Sequence, residues 1–195
     1  MKIIVWDIDD VLNDLTREWF NNYIQSHSCS EHLNYRDLKE NPPHRLLDIS
    51  LDDYLQSLDD FRAEKGNGLK PLEEILNWFN KNGNSYTHFA LTSTPLFNAG
   101  ASAAWLFKNF GMWFNSFNFI PSKRTGDNYS YRFISKASLL KVFPNVDAFI
   151  DDNPQNINEA KAIGIKSFLF PRPWNKSQYS LPEELLEDLD NLLIV

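Results

Sequence analysis

The chain has 195 residues, of which 43% are hydrophobic, and its net charge is −7. This length suits one α/β domain with a small insertion, and the 15 Phe, 7 Tyr and 6 Trp supply ample material for a packed core. The acidic balance argues against a nucleic acid polymer or an anionic membrane as partner, because both need clustered Lys and Arg. A small phosphorylated metabolite remains compatible, since one local Lys and a metal ion can hold a phosphate.

The single cysteine, Cys29, rules out an internal disulfide and fits a reducing compartment. The four histidines lack the spacing of a zinc site. The N-terminal residues contain no hydrophobic region of signal-peptide length, and no apolar run approaches the ~20 residues of a membrane span. We therefore expect a soluble, cytoplasmic protein without a membrane partner.

Hydrophobic patterning predicts strands that alternate with helices along most of the chain. The predicted strands cover residues 2–7, 87–91, 117–120, 147–150 and 166–170. The predicted helices cover about residues 13–25, 71–82, 101–109, 135–143 and 154–163, with a further helix near the C-terminus. The helix at 154–163 has clear start and stop signals, because Asn153 can cap it, Pro154 suits its first position and Gly164 follows its end.

Residues 26–70 differ from the rest, being rich in Asp, Asn, Ser and Leu and interrupted by two adjacent prolines. One helix is predicted there, with Ser50 as its N-cap and apolar residues on one face. The stretch contains no predicted strand. It therefore indicates a helical insertion that covers the core.

The predicted fold class is α/β: a doubly wound, Rossmann-like parallel sheet of five strands with a small α-helical cap inserted after the first strand. The core domain is expected at residues 1–13 and 71–195, and the cap at residues 14–70. In such sheets, ligands bind beyond the carboxyl ends of the strands, where the strand order reverses.

Two acidic clusters follow predicted strands. Asp7 and Asp9 are two residues apart in an extended segment, so their side chains can reach a common site. Two adjacent carboxylates repel each other, which favours a bound metal or a shared proton and a division of labour between nucleophile and general acid. The simpler alternative is an acidic turn that caps the next helix, and Asp10 is better explained in that way.

Asp151 and Asp152 also follow an apolar run, at residues 148–150. Alone they could cap the helix that begins at Pro154. Together with Asp7 and Asp9 they form a group of hard oxygen ligands suited to Mg²⁺. The sequence therefore predicts a magnesium site built from these four acids.

Three further residues are candidates for binding a phosphoryl group. Thr92 and Ser93 follow a predicted strand, where hydroxyl and backbone N–H groups can hold phosphoryl oxygens. Lys136 begins the helix before the Asp151 strand, where an ammonium group can neutralise charge on a transferred phosphoryl group. The alternatives are an ordinary helix cap and a solvated surface lysine, and Lys123 is a weaker rival of Lys136.

The order Asp-x-Asp-x-Val-Leu, Thr-Ser, Lys and Asp-Asp resembles the four motifs of the haloacid dehalogenase-like (HAD) phosphohydrolases, from residue 2 to about 170. The resemblance implies that Asp7 is the nucleophile and forms an aspartyl-phosphate. It also implies that Asp9 is the general acid and base, and that Thr92 and Lys136 bind the phosphoryl group. Mg²⁺ would be held by the Asp7 carboxylate, the Asp9 backbone carbonyl and Asp151, with Asp152 in support.

The resemblance implies a Mg²⁺-dependent phosphomonoesterase for a small soluble metabolite. The small helical cap and residues 91–95 and 172–175 resemble the 5′-nucleotidase and deoxyribonucleotidase branch, which would make a nucleoside monophosphate the substrate. Sugar phosphates are an alternative. Alternatives of another class are a catalytically inactive HAD-fold binding protein and a receiver-like phospho-acceptor module, although receivers carry their phosphorylated Asp after the third strand and lack a cap.

Overall fold

The computed structural model describes residues 1–27, 32–128 and 130–194, and Cys29 lies outside these ranges. The strands are β1 (Ile3–Trp6), β2 (Thr87–Thr94), β3 (Phe114–Pro121), β4 (Val146–Asp151) and β5 (Ser167–Leu169). The helices are α1 (Leu15–Ser26), α2 (Leu51–Lys65), α3 (Glu73–Asn82), α4 (Ala99–Phe110), α5 (Lys136–Leu140), α6 (Pro154–Ala162) and α7 (Pro182–Ile194). In the described ranges, none of the helices has the length and apolar character needed to span a membrane.

The five strands form one parallel sheet in the order β3-β2-β1-β4-β5. This confirms the predicted fold class. The chain adds β2 and β3 on one side of β1 and then β4 and β5 on the other. The strand order therefore reverses at β1, and the ligand crevice of such a sheet lies between the ends of β1 and β4.

Both faces of the sheet are covered, which explains why β1 is apolar throughout. Ile4 and Trp6 belong to a buried cluster that also contains residues of α3, α4 and α7. Val5 belongs to a second cluster, with Leu140 of α5 and Ile157 of α6. Successive strand side chains alternate between the two faces, so a strand between two helical layers needs hydrophobic residues at every position.

Three predicted boundaries were wrong by three residues, and one of them is the start of β3, which lies at Phe114 rather than at residue 117. Strand β2 was expected to end at Leu91, but it continues because Thr92, Ser93 and Thr94 pair with the last residues of β3. Thr92 and Ser93 thus lie within a strand rather than in the turn that follows it. Helix α5 ends at Leu140, earlier than predicted, although Ser135 caps its start as part of a reciprocal capping box.

The insertion between β1 and α3 contains α1, α2 and two short 3₁₀ helices, Tyr35–Asp37 and Gly66–Gly68. Ser50 caps α2 by accepting the backbone N–H of Asp53 at 3.0 Å, as predicted. The insertion has a buried cluster of its own, formed by Leu15, Trp19, Phe20, Tyr23, Leu38, Leu47, Tyr54, Leu58 and Phe61. The division of the chain into a core and a cap domain remains a prediction.

The chain enters and leaves the insertion at one place. Asn13 and Pro71 form an isolated antiparallel bridge, and the backbone N–H of Leu72 donates to the carbonyl of Leu12 at 2.9 Å. The two connecting segments therefore lie side by side, next to the end of β1.

Candidate active site

Three buried carboxylates meet at the ends of β1 and β4. Asp7 follows β1 directly and donates its backbone N–H to the carbonyl of Ile150 at 2.9 Å, which places it beside Asp151. Asp7, Asp151 and Asp152 each offer a carboxylate oxygen, and these oxygens lie within 4.8 Å of one another. The three residues are only 6%, 0% and 7% exposed. The cluster occupies the point where the strand order reverses.

Lys136 joins the two strand ends. Its Nζ lies 2.7 Å from Oδ2 of Asp7 and 2.7 Å from Oδ2 of Asp151, and the residue is 1% exposed. Lys136 occupies the first position of α5, where the Ser135 cap fixes the helix start. The structure thus brings together four predicted site residues from three separate elements.

Burial and mutual repulsion disturb the protonation of this cluster. Burial raises the pKa of Asp7 to about 7, an effect that Lys136 opposes and Asp151 reinforces. Burial and the neighbouring charge of Asp151 also raise the pKa of Asp152 well above its ordinary value. Burial lowers the pKa of Lys136, but Asp151 and Asp7 more than offset this and raise it overall. The lysine therefore stays charged beside Asp7, which ionises with difficulty.

The donor set fits a divalent cation. When all groups are ionised, three carboxylates face one ammonium group, which leaves an excess of buried negative charge that a hard cation would neutralise. Carboxylate oxygens are the ligands that Mg²⁺ prefers. The carboxylate of Asp9 lies outside this cluster, and the predicted role of its backbone carbonyl as a ligand remains a prediction.

The carboxylates of Asp151 and Asp152 are held by neighbouring donors. Asp151 accepts the backbone N–H of Asn153 at 2.8 Å and the Asn156 amide at 3.1 Å. Asp152 accepts the indole N–H of Trp174 at 3.0 Å. Such outer contacts fix the orientation of metal-binding carboxylates.

Asp9 is bound by the insertion rather than by the carboxylate cluster. Its Oδ2 accepts from Nη2 of Arg62 at 3.0 Å, and its Oδ1 accepts from the amide of Asn13 at 3.3 Å. Arg62 lies on α2, so this ion pair connects the insertion to the segment that follows β1. A predicted catalytic residue is thereby in direct contact with the insertion.

Three ion pairs link four charged residues in a chain, in the order Asp9, Arg62, Asp59 and Arg124. Nη1 of Arg62 donates to Asp59 at 3.2 Å, and Asp59 accepts two further hydrogen bonds, at 2.6 and 2.8 Å, from the guanidinium group of Arg124. Arg124 lies in the loop after β3. This loop also binds α2 through the hydroxyl of Thr125, which donates to Asp52 at 3.0 Å.

Asp10 has a structural role, as the sequence suggested. It adopts a left-handed backbone conformation with φ of 62°, and its carboxylate accepts both the backbone N–H and the hydroxyl of Thr16 at the start of α1. Burial raises the pKa of Asp10 to about 6, against the effect of the nearby Arg172. Arg172 also donates to the carbonyls of Asp10 and Asn13, at 2.7 and 3.1 Å, and so fixes the entry to the insertion.

The two hydroxyl residues of β2 differ in exposure. Thr92 is 1% exposed, whereas Ser93 is exposed to solvent. Adjacent residues of β2 face opposite sides of the sheet, and the side that Ser93 shares with the buried Leu91 is uncovered at this end of the strand. Binding of a phosphoryl group by either residue remains a prediction.

Sequence reasoning gave no role to Arg62, Arg124 or Trp174. Arg62 carried a usable signal, since it falls four residues after Leu58 on the apolar face of α2, and a charged residue on such a face needs a buried partner. Arg124 and Trp174 lie in loops without periodicity, and their partners are 65 and 22 residues away. Nothing in the sequence pattern specifies those pairings.

No family model matches the sequence, and no curated protein matches it. Three solved structures illustrate what the fold is similar to. A haloacid dehalogenase-like hydrolase from Streptococcus pneumoniae is 14% identical, with 98% of each chain covered and a TM-score of 0.62. A candidate β-phosphoglucomutase from Thermotoga maritima is 18% identical, with 98% of this chain and 99% of that one covered and a TM-score of 0.57. Protein Tyrosine Kinase A from Mycobacterium tuberculosis is 12% identical, with 91% and 87% covered and a TM-score of 0.64.

These identities are too low to transfer an activity, but the coverage is nearly complete. The structures named here give no support to the nucleotidase branch. Together with the parallel sheet and the carboxylates at its switch point, they show that this chain has the fold of the HAD-superfamily hydrolases.

Proposed function

We propose that the protein is a Mg²⁺-dependent phosphomonoesterase that acts on a small soluble metabolite through an aspartyl-phosphate on Asp7. One observation carries the proposal: Lys136 bridges Asp7 and Asp151 at 2.7 Å on each side, beside Asp152, at the strand ends where such sheets bind ligands. A buried cluster of this kind is costly for folding alone, so a function that uses its charge explains it best.

The residues divide the chemistry between them. The Asp7 carboxylate, held by Lys136 and by the backbone N–H of Ile8 at 2.7 Å, attacks phosphorus while the ester P–O bond breaks. Asp9 gives a proton to the leaving oxygen. Water then attacks the phosphorus of the aspartyl-phosphate, Asp9 takes the proton of that water, and orthophosphate leaves as the Asp7 carboxylate is restored.

The other groups supply charge and position. Lys136 neutralises negative charge on the phosphoryl oxygens, and Thr92 supplies a hydroxyl donor at the end of the neighbouring strand. Asp7, Asp151 and Asp152 would hold Mg²⁺, which neutralises the phosphate charge when it is bound. Ser93 is the less suitable donor, because its side chain is exposed.

The proposed substrate is a small phosphorylated compound other than a nucleotide. A nucleoside monophosphate was suggested by the small helical cap and by two short sequence segments, whereas a phosphoglucomutase name among the structural matches refers to a sugar phosphate. We therefore expect sugar phosphates and smaller phosphorylated metabolites to be better substrates than nucleotides. A screen of purified protein over these compound classes measures the preference directly.

The activity itself is tested with p-nitrophenyl phosphate. Hydrolysis should require Mg²⁺, stop in the presence of a chelator and be abolished in Asp7→Asn, with the fold checked by circular dichroism. Asp9→Asn should slow hydrolysis steeply while Mg²⁺ binding survives. Asp60→Asn is the matched control, because Asp60 is an exposed residue of α2 whose carboxylate accepts a hydrogen bond from the Gln56 amide.

Full hydrolysis by Asp7→Asn would remove Asp7 as nucleophile. Absence of hydrolysis of any phosphate ester by the wild type, with Mg²⁺ bound, would favour the inactive binding protein. A stable phosphoprotein that turns over slowly would favour the phospho-acceptor module.

A further inference from the structure

One edge of the sheet is formed by a long strand. Strand β3, Phe114–Pro121, is the outermost strand on its side and pairs only with β2. An edge strand presents unpaired backbone N–H and C=O groups, with which a further strand can pair. The opposite edge strand, β5, has only three residues, and the Ser177 hydroxyl donates to its Leu169 carbonyl at 2.7 Å. The edge at β5 is therefore short and partly covered, whereas β3 offers eight residues.

The hydrogen bonding of β3 shows which of its backbone groups face outwards. The backbone N–H of Ser122 donates to the carbonyl of Thr94 at 3.0 Å, so Ser122 faces β2. The register between the two strands is regular from Ser116 onwards, and successive residues of a strand direct their backbone groups to alternate sides. Phe117 and Phe119 therefore face away from β2. In the described part of the chain, no backbone group outside the sheet bonds to either residue.

The middle of this edge lacks the features that normally prevent strand pairing. Such features are charged side chains, prolines and bulges. The residues of β3 carry no charge, and its one proline, Pro121, is the last residue of the strand. The register shifts at Asn115, so the irregular residue lies near the other end. A regular, uncharged stretch that includes Phe117 and Phe119 remains between them.

The half of the sheet that contains this edge is free of acidic residues. The chain has 26 Asp and Glu and a net charge of −7, yet residues 75–126 contain neither. That stretch forms most of α3 and all of β2, α4 and β3. Its charged residues are the bases Lys81, Lys108, Lys123 and Arg124. Two copies of the chain can therefore meet at β3 without the repulsion between acids that their net charge causes elsewhere.

From these observations we propose that β3 is a dimer interface, and that its partner is β3 of a second copy, which runs antiparallel to it. A two-fold axis at Asn118 places Phe117 of each copy opposite Phe119 of the other. Each of these pairs then exchanges both of its outward N–H···O bonds. An axis at Phe117 leaves one such pair that avoids the irregular Asn115, and an axis at Phe119 places Pro121, which has no N–H, opposite Phe117. The axis at Asn118 thus makes the best use of the free groups.

The side chains suit the same arrangement. The rings of Phe117 and Phe119 lie on one face of the sheet, with centroids 6.1 Å apart, and both residues are half-buried. In the dimer each ring lies across from a ring of the second copy, and such cross-strand aromatic pairs stabilise a sheet. The carboxyl ends of the two sheets point in opposite directions, so neither active site depends on the other copy. The inference therefore stands independently of the proposed function.

Sedimentation velocity on the full chain measures the association. The wild type should dimerise with a dissociation constant of about 1–100 µM, as expected for a small interface. Phe119→Lys removes a ring from each aromatic pair and places two like charges diagonally across the axis, so it should raise the dissociation constant at least about a hundredfold. Ile134→Lys, at an apolar residue that is 83% exposed and lies outside β3, should leave the dissociation constant unchanged. Circular dichroism checks the fold of both variants.

A disulfide tests the register and guards against misfolding of Phe119→Lys. With the axis at Asn118, this residue faces its own copy in a non-hydrogen-bonded pair, whose Cα atoms are about 4.5 Å apart and within reach of a disulfide. Once Cys29→Ser has removed the single cysteine, Asn118→Cys should therefore form an intermolecular disulfide under mild oxidation. Asn115→Cys is the matched control and should not, because its two copies lie roughly 20 Å apart along the strands.

Three results would overturn the proposal. They are a wild type that stays monomeric at millimolar concentration, undiminished association of folded Phe119→Lys, and cross-linking of Asn115→Cys as fast as that of Asn118→Cys. Pairing of β3 with an unrelated extended peptide in a monomeric wild type belongs to the first. Failure of p-nitrophenyl phosphate hydrolysis would refute the proposed function and leave the dimer untouched.

Discussion

Replacing Lys136 by Met tests how much the buried ammonium group contributes to stability. Lys136 is 1% exposed and lies 2.7 Å from two carboxylates, with a third beside them. Removing one partner of a buried ion pair typically costs about 3–5 kcal/mol, because the remaining charge is left uncompensated. We therefore expect Lys136→Met to lose about 4 kcal/mol of unfolding free energy at pH 8 in the absence of Mg²⁺.

The loss should depend on pH in a defined direction. Burial already raises the pKa of Asp7 to about 7, and removing Lys136 raises it further. The folded variant then binds more protons than the unfolded chain, so its stability falls as pH rises from about 4 to above 7. The difference between wild type and variant should therefore shrink between pH 8 and pH 5.

Binding of Mg²⁺ should also recover part of the stability that Lys136→Met loses. A cation at 100 times its dissociation constant stabilises the folded state by about 2.7 kcal/mol, and the variant, which lacks the competing ammonium group, should gain at least that much. Urea unfolding at pH 5 and pH 8, with and without Mg²⁺, measures both effects. Lys141→Met is the control, because Lys141 is an exposed residue just after α5.

Equal stability of wild type and Lys136→Met at pH 8 without Mg²⁺ would refute the electrostatic reasoning. So would a loss that grows as the pH falls, because protonated carboxylates do not need the lysine.

Three further predictions concern the surroundings of the site. Burial lowers the pKa of His88 to about 4, and its neutral ring accepts from the indole of Trp6 and donates to the Gly83 carbonyl. The neutral ring should therefore stabilise the fold above pH 6.5, and about 3 kcal/mol of unfolding free energy should be lost as the pH falls from 6.5 to 4. In urea unfolding, the stability advantage of the wild type over His88→Phe should shrink over that range. Gly83→Ala should lower the unfolding free energy by about 1–3 kcal/mol, because its Cβ would lie 2.6 Å from the Trp113 ring, whereas Gly100→Ala, with open space around it, should be neutral or stabilising. Trp174→Phe removes the indole donor to Asp152 and should weaken Mg²⁺ binding about tenfold, as measured by calorimetry. Unchanged affinity would show that this contact does not orient the carboxylate.

The sequence was sufficient to predict the sheet and the carboxylate cluster for a physical reason. A run of residues buried on both faces of a sheet is apolar, so the first charged residue after the run marks the strand end: Asp7 directly follows β1, and Asp151 is the last residue of β4. Because parallel strands end at one edge of the sheet, these residues were expected to meet, and three of the four predicted acids do so. Lys136 was a candidate because it begins a predicted helix and because the motif order resembles a known family, and its 1% exposure excludes the alternative of a solvated surface lysine.

The contacts between the insertion and the sheet edge could not be predicted in the same way. Arg62 binds Asp9, 53 residues away, and Arg124 binds Asp59, 65 residues away. Neither pairing is encoded by periodicity, because each depends on how α2 lies over the sheet edge. The end of β2 was misjudged for a related reason, since Thr92 to Thr94 are polar and extend the strand only because β3 offers them partners.

The joined segments at Asn13 and Pro71 have a consequence for how this architecture tolerates change. Since the two residues already form a bridge, the path between them begins and ends at nearly the same point, whatever its length. The entropy of closing such a path grows only slowly with added residues, so insertions or deletions there leave the ends of β1 and β4 undisturbed. The residues that the insertion presents to the sheet edge can thus change while Asp7, Lys136 and Asp151 keep their mutual distances.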